Sequence, residues 1–82
     1  MGRRPKWRLY ADTGKGLRMV RTDNPDYDAL AFQLVKSRQA TRAEVRFEGS
    51  LIFEAYAIPG CRTFAWRSAL MPAPAFASYE TE

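Results

Sequence analysis

Histidine is absent from this 82-residue chain and cysteine occurs once, as Cys61. These two absences remove much of protein chemistry at once. A Ser-His-Asp or Cys-His arrangement needs an imidazole to carry the proton, so neither can be assembled. The usual zinc and haem ligand sets are equally out of reach, and a single cysteine excludes an intrachain disulfide. Cys61, with no base to activate it, reads as a small side chain following a turn. No cofactor is expected. No stretch approaches the roughly 20 apolar residues that span a bilayer. The longest uncharged run, Ser68 to Tyr79, is shorter and holds Pro72 and Pro74. The first six residues, Met-Gly-Arg-Arg-Pro-Lys, lack the apolar core of a signal peptide, and Lys6 stands where a myristoylation motif takes Ser or Thr. The expectation is a cytoplasmic protein with no membrane association.

The residues present are those of a folded chain, at 46% hydrophobic and 13% aromatic. That is far from the composition of disorder, and the length suits one domain with one modest core. A single domain over residues 1–82 is expected, with a basic flexible arm at 1–5 and an extended tail at 71–82. The net charge is +4 and unevenly spread. Residues 1–22 hold Arg3, Arg4, Lys6, Arg8, Lys15, Arg18 and Arg21 against Asp12 alone. Asp23, Asp26 and Asp28 follow closely. A basic segment of this kind attracts phosphate backbones, acidic lipids or an acidic protein face, less so as salt rises.

Trp7, Leu9 and Ala11 alternate with Lys6, Arg8 and Tyr10, the period of a strand with one face buried. Asp12-Thr13-Gly14-Lys15-Gly16 is turn chemistry, and Leu17 and Met19 resume the apolar alternation, which makes a hairpin. Helix onset follows: Asp23 or Asn24 as cap, Pro25 at the first helical position, Asp26 and Asp28 complementing the dipole. Tyr27, Leu30, Ala31, Leu34 and Val35 form one apolar stripe, and the helix is expected to reach about residue 39.

Ala43, Val45 and Phe47 give a third strand, and Leu51, Phe53, Ala55 and Ala57 a fourth beyond Gly49-Ser50. A turn on Gly49-Ser50 would set Glu54 beside Val45 on the core side. Pairing Phe47 with Phe53 keeps Glu54 outside, opposite Arg46, and is preferred. Ile58-Pro59-Gly60-Cys61 fits a type II turn. A fifth strand follows, its faces being Arg62, Phe64 and Trp66 against Cys61, Thr63, Ala65 and Arg67; nothing in the sequence chooses between them. The fold class is therefore α+β, with one helix packed on a mainly antiparallel sheet in the order β-β-α-β-β-β.

No catalytic motif emerges. Gly14-Lys15-Gly16 lacks the spacing of a phosphate loop, with Leu17 where Ser or Thr belongs. Asp26 and Asp28 point different ways on a helix, and Glu44, Glu48 and Glu54 read as a solvated face interleaved with arginine. A histidine-free ribonuclease toxin is the least favoured reading. The chain reads instead as a non-catalytic binding module. If the helix covers one sheet face, Lys6, Arg8, Tyr10, Arg18, Arg46 and Tyr56 belong to the other, with Lys15 at the hairpin tip. Cations mixed with flat rings suit single-stranded nucleic acid. The competing reading is an inhibitor that covers a surface of a host defence or nucleic-acid-handling complex. Mobile-element inhibitors, including anti-CRISPR proteins, are of this general kind, although no residue pattern here identifies such a family. Ile52, Tyr56 and Ile58 would serve as a contact patch for such an acidic or mixed protein surface. A homodimer using an edge strand or the open face is the third option.

Overall fold

The computed structural model describes residues 6–79; the basic arm expected at 1–5 lies outside the described residues. Six strands and one helix run in the order β1 (Trp7–Asp12), β2 (Leu17–Val20), α1 (Tyr27–Lys36), β3 (Arg42–Phe47), β4 (Ser50–Ala57), β5 (Thr63–Ser68) and β6 (Ala75–Ser78). They form a single antiparallel sheet ordered β2-β1-β3-β4-β5-β6. The helix packs mainly across β1, β3 and β4. The α+β class with one helix on an antiparallel sheet is as the periodicities require. The expected tail contributes a sixth strand, because Pro74 ends an irregular stretch and Ala75–Ser78 then pairs along β5.

The core lies between helix and sheet. Leu9, Ala11, Ala43, Val45, Phe53, Ala55 and Phe64 from the strands meet Ala31 and Val35 from the helix. Phe64 is its largest fully buried side chain. Its ring stands 5.3 Å from Phe32, 5.9 Å from Trp66 and 5.1 Å from Tyr79. Phe64 and Trp66 are thus the inward face of β5, which the sequence left open. Trp7, expected inside, opens β1 and is 45% exposed, tilted against Phe47 at 4.7 Å.

Two registers differ from the sequence reading. In the first hairpin, Asp12 Oδ1 accepts from the Gly14 and Gly16 amides at 2.8 and 3.2 Å. Asp12 therefore pairs with Leu17 and Tyr10 with Met19. Leu17 and Met19 consequently point away from the helix, while Arg18, opposite Ala11, and Val20, opposite Leu9, lie on the helix side. In the second hairpin the turn is Glu48-Gly49, with Phe47 opposite Ser50 and not the preferred Phe53, which pairs with Val45. Both turn residues have positive φ, 50° and 88°, as a two-residue hairpin turn of matching twist demands. A bulge then intervenes: Val45 pairs with Phe53 but Arg46 with Leu51, so Ile52 is the extra residue. Glu54 does lie on the outer face, as preferred, but opposite Glu44 instead of Arg46.

The helix starts later than its sequence signals place it. Asn24 Oδ1 accepts from the Asp26 amide at 2.9 Å, and Asp26 in turn caps the helix by accepting from Ala29 at 3.2 Å. Pro25 therefore precedes the cap. At the far end Lys36 occupies the last turn, and Arg38 takes a left-handed φ of 65° with its guanidinium 4.1 Å over the Tyr79 ring. Partial burial, reinforced by the adjacent Asp26 carboxylate, holds the Asp28 carboxyl above its ordinary value of 3.8. The folded chain then binds a proton where the unfolded chain does not. Stability should fall as pH rises from 3.8 through the raised value. Asp28→Asn is expected to flatten that segment of a plot of urea midpoint against pH. An unchanged slope would assign the titration elsewhere.

Candidate functional site: the open face of the sheet

Because α1 covers one side of the sheet, side chains of the other parity are left facing outward. Two rows of cross-strand neighbours define this open face. One runs Met19, Tyr10, Glu44, Glu54, Arg67 from β2 to β5. The other runs Leu17, Asp12, Arg42, Tyr56, Ala65, Phe76 across all six strands. Arg8 and Arg46 face one another beside the first row.

The centre of the face is an ion-pair cluster on β3, β4 and β5. Glu44 and Glu54 are direct cross-strand neighbours, and both are nearly inaccessible at 2% and 6% exposure. Two like charges so placed repel, and buried they require paired donors. Three arginines supply them. Arg42 Nη2 lies 2.7 Å from Glu44 Oε2 and also contacts Glu54 Oε2, bridging the two. Arg46 Nε donates to Glu44 Oε1 at 2.9 Å, and Arg67 Nε to Glu54 Oε1 at 3.3 Å. Every carboxylate oxygen of the pair thus meets a guanidinium. Arg46 Nη1 additionally donates to the Gly49 carbonyl at 2.9 Å, tying the cluster to the turn. The guanidiniums are the outer layer, since the Arg42, Arg46 and Arg67 side chains keep a third to a half of their surface.

Glu44 and Glu54 are therefore not the solvated charges expected of alternating Glu and Arg. So engaged, they hold three arginines in fixed positions. Among the described residues, no group of metal-ligating side chains stands together. A shallow groove of about 600 Å³ borders the cluster, with Arg42, Tyr56, Arg67 and Pro74 among its walls.

Of the side chains singled out in the sequence, Arg8, Tyr10, Arg46 and Tyr56 do share the open face. Arg8 Nη1 turns to the Met19 sulfur at 3.2 Å. Lys6 precedes β1 and lies 3.7 Å from Glu48, an exposed pair of small energetic weight. Lys15 is on the hairpin loop and Arg18 on the helix side, so the basic hairpin does not gather its cations on one surface. Ile52, the bulge residue, and Ile58, after β4, are half-buried. Arg42, Arg67, Leu17, Met19 and Phe76 join the face without having been anticipated. For Arg42 the signal was present, since it shares the parity of Glu44 and Arg46.

The exposed apolar groups sit at the two flanks. Leu17 and Met19 keep 42% and 46% of their surface on the β2 side, and Phe76 keeps 61% on the β6 side. The face is thus a polar, charge-paired centre between two apolar margins, with Tyr10 and Tyr56 half-buried between them. No helix among the described residues is long and apolar enough to cross a membrane. No protein-family model, curated protein or solved structure matches this chain.

Proposed function

We propose that this chain is a non-catalytic binding module that covers a protein partner with the open face of its sheet. The observation that carries this reading is the pairing of Arg42, Arg46 and Arg67 with Glu44 and Glu54. Three cations against two buried anions leave little net charge to attract a polyanion. The half-exposed guanidiniums nevertheless keep N–H groups to donate, and holding them in place in advance lowers the entropy lost on binding. Tyr, Met and Phe stand around them, and neither row of the face contains lysine. Arg, aromatic residues and Met are enriched at interface centres, while Lys is depleted. The partner surface that fits is mixed, with carboxylate or carbonyl acceptors opposite the arginines and apolar ground opposite Met19 and Phe76. A small module of this shape acts by occupancy, which suits an inhibitor of a larger nucleic-acid-handling complex.

One observation favours a second reading, single-stranded nucleic acid: among the described residues no carboxylate pairs with Arg8, which shares its face with Tyr10 and Tyr56. One paired experiment separates the two. The chain is used to recover proteins from a nuclease-treated native lysate, and separately titrated against labelled oligonucleotides at two salt concentrations. Expected are a partner that survives nuclease and weak oligonucleotide binding. With the recovered partner, Tyr56→Ala should weaken affinity by about tenfold or more, as a central aromatic does. Tight, salt-sensitive oligonucleotide binding that Arg8→Glu weakens would replace the protein reading with the nucleic-acid one.

A further inference from the structure

The two edges of the sheet are not alike. The β2 edge (Leu17–Val20) carries Arg18 and is flanked by Lys15 and Arg21. Positive charge on an edge strand is a common guard against pairing with another chain. The β6 strand carries no charge of its own, and the first charged residue in the sequence after it is Glu80. Ala75–Ser78 lies within the uncharged run from Ser68 to Tyr79, in a protein whose net charge is +4.

The backbone at this edge can be assigned group by group. The Tyr79 amide donates to the Arg62 carbonyl at 2.8 Å, continuing the register in which Ser78 faces Thr63 and Ala77 faces Phe64. In an antiparallel ladder, alternate residues direct both N–H and C=O to the same neighbour. Tyr79, Ala77 and Ala75 therefore turn toward β5, and Phe76 and Ser78 present their N–H and C=O groups outward. Position 74 has the outward parity too but is proline, which has no N–H to give, so pairing stops there.

We propose that β6 pairs antiparallel with β6 of a second copy of this chain, about a two-fold axis at Ala77, joining two sheets into one. Phe76 then exchanges both backbone hydrogen bonds with Ser78 of the second copy, and the symmetry repeats the exchange. Ala77 meets Ala77 of the second copy at the closely spaced, non-hydrogen-bonded position. Tyr79, held under Arg38, falls opposite Ala75 of the second copy, again large against small. The same operation at β2 would bring Arg18 close to Arg18 of the second copy, like charge to like. The helix packs mainly on β1, β3 and β4, toward the far side of the sheet from β6. Both open faces emerge on the same side, with the two Phe76 rings near the join. So short a strand places the interface at the small, weak end of the range.

Sedimentation velocity of the full chain from low micromolar to millimolar concentration tests this. Expected is a concentration-dependent dimer, with amide exchange at Phe76 and Ser78 slowing as dimer forms while the β2 edge amides do not change. Ser78→Pro removes an outward N–H that the monomer does not use, and should raise the dimer dissociation constant at least about tenfold with the fold retained by circular dichroism. Phe76→Lys, which adds charge to the edge without altering its backbone, should act in the same direction. A chain that stays monomeric throughout would overturn the proposal. So would protection at β2 instead of β6, or a folded Ser78→Pro that dimerises like the parent.

Discussion

Replacing Phe64 by alanine is expected to remove about 4 kcal/mol of unfolding free energy, the middle of the range for deleting a buried aromatic ring. Phe64 is 1% exposed and touches the rings that link helix, β5 and the end of β6. The neighbours cannot close the void, because Phe32 and Trp66 are already held edge to face at 5.0 Å. A domain of this size has roughly 4–12 kcal/mol to lose. The thermal midpoint should therefore fall by about 15–30 °C. Far-UV circular dichroism through a thermal ramp and a urea titration checks this. A loss below about 2 kcal/mol would mean that the aromatic cluster is not the centre of the core.

The second large effect belongs to Arg42. Arg42→Ala is expected to cost about 3 kcal/mol, the low end for breaking a buried pair because the arginine itself is half exposed. What remains is the source of the cost: Glu44 and Glu54, buried and directly opposed, each held by one guanidinium instead of two. The same change in an ordinary exposed pair would be worth about 1 kcal/mol or less. The discriminating measurement is the double variant. Adding Glu54→Gln to Arg42→Ala removes one of two facing charges and should recover at least about 1 kcal/mol, although it deletes a further ion pair. Independent, additive losses in urea denaturation would show that the cluster does not act as a unit. The same variant tests the binding proposal, since Arg42 bridges the cluster that would present the contact surface.

How far the sequence carries depends on where side chain and backbone signals agree. The β1 alternation, the helix stripe and the type II turn are legible because each has one solution. At the turn, the Cys61 amide donates to the Ile58 carbonyl at 3.2 Å and Gly60 has φ 77°, as Pro-Gly at its centre requires. Leu17-Arg18-Met19-Val20 misleads, since its apolar pair is Leu17 and Met19 while the helix side takes Arg18 and Val20. The choice is made by Asp12 bonding across its own loop, which no periodicity displays. The helix onset shifted for a related reason: Asn24 and Asp26 are both capping residue types, and Asn24 bonds the Asp26 amide while Asp26 caps the helix. Glu48 was invisible as a turn residue because glutamate rarely adopts positive φ; only Gly49 signalled it.

The open face was legible in part for the same reasons. Arg8, Tyr10, Arg46 and Tyr56 follow from strand parity alone. Burial of Glu44 and Glu54 does not, because it depends on which residues of β3 and β4 stand opposite. That in turn depends on Ile52, whose extra place in β4 has no signature in composition or period.

Ile52 also gives β4 one residue of slack in its length. With the turn fixed at Glu48-Gly49 and no bulge, the full-length strand would set Phe53 opposite Glu44 and Glu54 opposite Ala43. Phe53 would then go to water and Glu54 would enter beneath the helix. Removing any one residue from 51 to 53 instead leaves a regular ladder in which Glu54 still meets Glu44 and everything beyond keeps its side. Removing one from 54 to 57 has no such remedy, since Phe53, Glu54 or the residues after it must change faces. In a library of single-codon deletions, those at 51–53 should therefore survive far more often than those at 54–57. In evolutionary terms the bulge is a spare letter, and related chains that keep this hairpin should vary in length there before they vary in length anywhere else along β4.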